Sequence, residues 1–215
     1  MEIAKNGGWP LFIALLLGMS SSVRADTLEP DVLIKNTVQD VLTIVKQDKD
    51  IKKGNQQKIL TLVDEKILPH FDFTHMTRLA VGKSWRTATP EQRQSLESEF
   101  RQLLVRTYTK AFTAFSNHEV EVKPLKKESG ATEVTVKTII RVPDGQSIPV
   151  DYDLKKTESG WKAYDLLIEG VSMVTTYRSA FADEIHRGGI DGLVKSLVEK
   201  NKASVKNSVH KAGGQ

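Results

Sequence analysis

The chain has 215 residues, 39% of them hydrophobic, and its 31 Lys and Arg against 27 Asp and Glu give a formal net charge of +4. That length predicts one domain or two small ones, and so even a charge balance argues against a dedicated nucleic-acid surface. There is no cysteine, which excludes disulfides, thiolate metal ligands and cysteine lipidation.

Residues 1–25 read as an export signal. Lys5 supplies a positive start, Trp9 to Met19 an apolar run, and Val23 with Ala25 the small-x-small pattern ahead of a cut after Ala25. The run is too short to span a bilayer comfortably, so a retained anchor is the weaker alternative. The exported protein then begins at Asp26. Setting aside Lys5, Arg24 and Glu2 leaves 29 basic and 26 acidic residues, a net of +3, which favours contact with anionic membranes or acidic partners.

Asp26 to Pro30 is an extended leader. Val32 to Lys46 carries Leu33, Val38, Val41, Leu42 and Val45 at helical spacing and predicts an amphipathic helix. Asp48 to Asn55 is charged, contains Gly54 and reads as a linker. Gln57 to Ile67 is a second helix, stopped by Pro69. Phe71, Phe73, Met76, Leu79, Ala80 and Val81 then form an apolar patch on a short helix ending at Gly82. Thr89 as N-cap, Pro90 at the first position and acids in the first turn open what reads as the longest helix, to about Ser116. Leu96, Phe100, Leu103, Leu104, Tyr108, Phe112 and Phe115 line one face of it.

Four strands follow: Glu119 to Leu125, Thr132 to Val142, Ile148 to Lys155 and Trp161 to Glu169. Turns rich in Gly, Pro, Asp and Ser separate them. Val134, Val136, Thr138, Ile140 and Val142 alternate with polar neighbours, as do Ile148, Val150, Tyr152 and Leu154, so the meander is antiparallel with one buried face. After Gly170 the period changes. Val171, Val174, Arg178, Phe181 and Ile185 step at three or four residues, with Ser172 as N-cap, so a helix returns across the sheet. This brings Trp161, Met173, Tyr177 and Phe181 into one neighbourhood. Gly188-Gly189 breaks the chain, Ile190, Leu193, Val194, Leu197 and Val198 make a final helix, and the polar stretch from Lys200 frays.

Helices before and after a block of strands define the α+β class. The domain spans 26–200, helical over about 30–116 and 171–200, with the sheet at about 119–169 and a polar tail at 201–215. Its four apolar faces converge on one interior, which is either a packed core or one left partly open for an apolar ligand.

Candidate chemistry is sparse. His70, His75, His118, His186 and His210 form no i, i+4 pair, so no metal site is expected. No GxSxG, Walker A, GxGxxG or HExxH pattern occurs, so no catalytic residue is assigned. Asp151 and Asp153 share the outward face. Asp165 interrupts an apolar strand and needs a partner if buried: a structural hydrogen bond is the bland account, a general base in an isomerase-like site the other.

FDFTHM, VGKSWRTATPEQRQSLESEF, WKAYDLLIEGVSMVTTYRSAF and GGIDGL, in this order, resemble the toluene-tolerance/MlaC family of periplasmic phospholipid carriers in the Mla (maintenance of lipid asymmetry) pathway. The resemblance covers essentially the whole exported chain, and a related hopanoid-associated branch shares it. It implies a helical subdomain on a four-stranded, mainly antiparallel NTF2-like sheet, with a hydrophobic pocket between them. The pocket would take acyl chains as cargo, with no cofactor and no enzymatic activity. The implied wall is Phe73, Met76, Leu104, Tyr108, Val136, Ile140, Val150, Tyr152, Val171, Val174 and Phe181. The implied partners of this monomer are phospholipid, an outer-membrane lipoprotein–porin complex, and an inner-membrane ABC transporter reached through its MCE-domain subunit. A plain periplasmic adaptor would need only a filled core and a surface patch.

Overall fold

The computed structural model describes residues 28–114, 118–143 and 145–212. The expected export signal, Phe115 and the side chain of Phe112 lie outside what is described. Helix α1, Pro30–Gln47, starts on a proline and buries the stripe Leu33, Ile34, Val41 and Val45. The expected linker contains a short helix, α2 (Lys49–Lys52), because the Asp48 carboxylate accepts from the Asp50 and Ile51 N–H groups at 2.8 and 3.0 Å. Asn55 caps α3, Gln56–Lys66, by accepting from the Lys58 N–H at 3.2 Å.

A 3₁₀ turn at Leu68–His70 absorbs Pro69, and Asp72 then caps α4, Phe73–Val81. A second 3₁₀ turn, Gly82–Arg86, leads to α5, Pro90–Ala114. Thr89 and Gln92 form a reciprocal cap: the Thr89 hydroxyl accepts from the Gln92 N–H at 3.2 Å, and Gln92 Oε1 from the Thr89 N–H at 3.0 Å.

Among the described residues the sheet has five strands rather than four, all antiparallel, in the order β1 (Glu119–Val122), β2 (Glu133–Arg141), β3 (Ile148–Thr157), β4 (Gly160–Ile168) and β5 (Val171–Ser172). The extra strand arises at Glu169 and Gly170, whose φ angles of 52° and 80° reverse the chain within two residues. Val171 therefore pairs with Ile168 instead of opening the helix. Ser172 caps α6, Met173–Ala212, by accepting from the Thr175 N–H at 3.0 Å.

Helix α6 is longer than α5, with one non-helical residue, Gly189 (φ 67°, ψ −167°), where a full break is expected. It also continues past Lys200. Asn201 is buried and donates to the Glu99 carbonyl at 2.9 Å and to Glu99 Oε2 at 2.7 Å, which pins that turn to α5.

Among the described residues three apolar clusters hold the fold. The largest joins α4, α5 and α6, with Phe100 edge-on to both Tyr177 and Phe181 at 5.0 Å. A second packs Leu33 and Ile34 of α1 on Val136, Leu154, Trp161 and Ala163 of the sheet. The third is local to α1, α2 and α3, around Val45, Ile51 and Ile59. Trp161 is thus in the second cluster, apart from Met173, Tyr177 and Phe181. It stands on β4 beyond the bulge at Asp153/Leu154, under the first turns of α1.

Candidate functional site: an apolar cavity under the sheet

Between these clusters lies a cavity of about 520 Å³. One wall is the inner face of the sheet, in successive rows: Val120, Ile140 and Ile148; Thr138, Val150 and Ile168; Tyr152 and Leu166. The pleat places these residues on one side because they are two apart along each strand. The opposite wall is the α1 stripe Ile34, Val38, Val41, Leu42 and Val45, with Val63 and Ile67 of the α3 region. Leu68, His70, Phe71, Phe73 and Met76 make the floor, and Leu104, Val105, Tyr108 and Thr109 of α5 the remaining side. The entry to α4 is tied to the sheet where the Asp72 N–H donates to the Ala163 carbonyl at 2.8 Å.

The polar groups in this wall are few. Thr138 is satisfied, its hydroxyl donating to the Val150 carbonyl at 2.6 Å. Burial pushes the Tyr152 phenol from its ordinary 10.0 up to about 12. Burial, then Lys162, holds the His70 imidazole below its ordinary 6.5, so it is mostly neutral at pH 7. Among the described residues no group of three or more His, Asp or Glu side chains could hold a metal, and no helix is long and apolar enough to cross a membrane.

Seven of the eleven expected wall residues line the cavity: Phe73, Met76, Leu104, Tyr108, Ile140, Val150 and Tyr152. The other four stand elsewhere, each for a physical reason. Val136 shares the inner face, in register with Tyr152, but is fully buried in the cluster of Leu33 and Ile34. Val174 and Phe181 point into the α4–α5–α6 core, because α6 packs on α5 rather than along the cavity. Val171 is 63% exposed, its strand lying on the outer side of the two-residue reversal. The largest omission was the α1 wall, whose signal was legible: Ile34, Val38, Val41, Leu42 and Val45 follow an i, i+4, i+7, i+8, i+11 stripe.

Asp165 is buried but lies outside the cavity. Its Oδ1 accepts from the Leu166 N–H at 2.8 Å and the Val174 N–H at 3.0 Å, and its Oδ2 accepts from the Ser172 hydroxyl. Those donors occupy the carboxylate as a strap between β4 and the start of α6, the structural role rather than the base.

A mixed fold whose helices and sheet face each other across an apolar, ligand-sized hollow defines an α+β cavity protein of NTF2-like architecture. The chain belongs to the MlaC family: the family model described as MlaC protein matches residues 35–199. It is similar to the toluene tolerance protein ttg2D of Pseudomonas putida, 26% identical over 85% of this chain and 87% of that one. It is similar also to the intermembrane phospholipid transport system binding protein MlaC of Haemophilus influenzae, 22% identical over 78% and 80% of the two chains. A solved phospholipid-binding protein from Ralstonia solanacearum, in complex with a phospholipid, superimposes with a TM-score of 0.77 at 39% identity, covering 83% of this chain and 99% of that one.

Proposed function

We propose that this protein is a periplasmic phospholipid carrier that seats acyl chains in the cavity and leaves the headgroup at its mouth. The observation behind the reading is the cavity itself. Enclosed and dry, a hollow of about 520 Å³ would cost about 12 kcal/mol at ~24 cal/mol per Å³, an upper bound for one that opens at a mouth. That is comparable with the whole net stability of a domain, roughly 5–15 kcal/mol. Water does not remedy this, since a lining of Val, Ile, Leu, Phe and Met offers few partners for hydrogen bonds. Acyl chain does.

The same physics explains why such a carrier is needed. Two chains hold about 30 methylenes, and exposing them costs on the order of 24 kcal/mol at ~0.8 kcal/mol each. A protein that substitutes one apolar surrounding for another makes exchange nearly balanced. Direction then comes from the docking partners, which we take to be an inner-membrane ABC transporter met through its MCE-domain subunit and an outer-membrane lipoprotein–porin complex. The lipid-bound Ralstonia neighbour and the transport name of the Haemophilus relative support this reading.

Native mass spectrometry of gently purified protein tests the binding, with one or two phospholipids per chain expected. Movement of labelled lipid between two vesicle populations, accelerated by the protein, tests the carriage. Protein that holds no lipid and gains none from vesicles overturns the reading.

A further inference from the structure

The cavity wall is lopsided in charge. Among the described residues no Lys or Arg lines it, His70 is mostly neutral, and the one acidic side chain in the lining is Glu169. Among the described residues of that lining Glu169 is also the one that is exposed, so it marks the mouth, where a headgroup would sit. None of the ion pairs among the described residues includes it.

Its backbone supplies a second observation. Glu169 is the one non-glycine among the described residues with a positive φ, 52°, and Gly170 follows at 80°. Two central residues with positive φ between the paired residues Ile168 and Val171 make a hairpin reversal that favours Asn, Asp or Gly at its first position. A long acidic side chain there is held in an unfavourable conformation, fixed by the Glu169 N–H donating to the Pro149 carbonyl at 2.9 Å. Strain of this kind persists where the surroundings over-determine it, and it clusters at ligand sites.

We propose that Glu169 is a specificity-determining residue that selects phospholipids whose headgroup carries a cationic amine over those whose headgroup is anionic. The inference rests on the phospholipid reading above. Every phospholipid brings a negative phosphate to the mouth, and among the described residues no cation in the lining offsets it. An ammonium on the headgroup pairs with both the phosphate and the Glu169 carboxylate. A headgroup without a cation leaves two like charges facing each other, and specificity comes from that repulsion as much as from the attraction. A solvent-exposed pair of this kind discriminates by about two- to five-fold.

The test uses vesicles of equal parts dioleoyl phosphatidylethanolamine and dioleoyl phosphatidylglycerol, which present identical acyl chains. The purified protein, Glu169→Gln and Glu169→Lys are each incubated with excess vesicles at low salt and neutral pH, re-isolated and extracted. Mass spectrometry then gives the ratio and total of the two lipids. The expected result is a ratio of about two to five in favour of phosphatidylethanolamine for the protein, near one for Glu169→Gln, and inverted for Glu169→Lys. A ratio that stays at the vesicle value in all three, with lipid taken up normally, overturns the selection and leaves phospholipid binding standing. An equal loss of both lipids from Glu169→Gln also overturns it, since Glu169 would then support the pocket rather than choose its occupant. No lipid of either kind in any of the three overturns both readings.

Discussion

Val150 and Asp165 are both buried within two adjacent strands, yet their surroundings assign them different fates on substitution. Val150 faces the cavity at 8% exposure. A carboxylate there lacks a partner, and burying it unpaired costs several kcal/mol unless water enters with it. A cavity wall admits that water where a packed core cannot. Val150→Asp is therefore expected to stay folded in circular dichroism melts while losing extractable phospholipid; an insoluble variant would make Val150 ordinary core. Asp165→Asn should behave the opposite way. The amide keeps one acceptor for the Leu166 and Val174 N–H groups but offers Ser172 no second acceptor, so denaturation should show a loss of about 1–3 kcal/mol. Lipid content should be unchanged, and loss of lipid from a fully stable variant would return Asp165 to the site. Tyr152 carries a pH signature. Its phenol is raised from 10.0 to about 12 in the folded protein, so the neutral form is favoured there. The unfolded chain releases that proton first, and stability present below pH 10 falls as pH rises from 10 to 12. Alkaline unfolding curves of the protein and Tyr152→Phe should diverge in that window, the variant lacking the slope.

At the level of elements, α6 turns on one backbone conformation. Gly189 adopts φ 67° and ψ −167°, a region open essentially to glycine, while Gly188 keeps helical angles; a Cβ at either would meet nothing within 4 Å. Packing therefore plays no part in the comparison. Gly189→Ala should cost about 1–3 kcal/mol from backbone strain, and Gly188→Ala should gain up to about 1 kcal/mol from helix propensity. Equal effects in chemical denaturation would mean that the kink is not a fixed feature. The same pair shows what was legible in the chain. Period-3.6 stripes, the Thr89-Pro90 start and the strict alternation in β2 and β3 were enough to place most elements within two or three residues. Other features follow from single dihedrals or distant contacts, which periodicity does not register. The reversal at Glu169 and Gly170 created β5 and moved Val171 out of the expected helix. Asn201, 102 residues from Glu99, held helical a stretch whose composition reads as fraying. The cavity was half legible for a related reason: a face can be read from spacing, but which of two apolar faces packs and which stays open depends on how neighbouring helices cross. Val174 and Phe181 had the right spacing and the wrong neighbour.

For the molecule as a whole, occupancy should be worth measurable stability. A ligand that binds only the folded state raises its stability with the ratio of free ligand to Kd, by about 2.7 kcal/mol at a hundred-fold excess. Stripping lipid with detergent and repeating the thermal melt should lower Tm, and adding back phospholipid vesicles should restore it. An unchanged Tm would mean the cavity is not the lipid site.

The separation of the three clusters has a consequence for how the protein opens. The α1–α2–α3 cluster is bordered by the cavity, with Val41, Val45 and Ile67 belonging to both. On the proposed reading, an acyl chain would be the connecting material across that space. Backbone amides of α1 and α3 should then exchange with deuterium as a cooperative unit at a lower opening energy in the emptied protein, while those of α5 and the first half of α6 hold the protection of the whole fold. Loading would bring the two sets together. On the proposed carrier reading, the cargo is the missing part of the core, and what would be given up on its release is a portion of the protein's own cohesion.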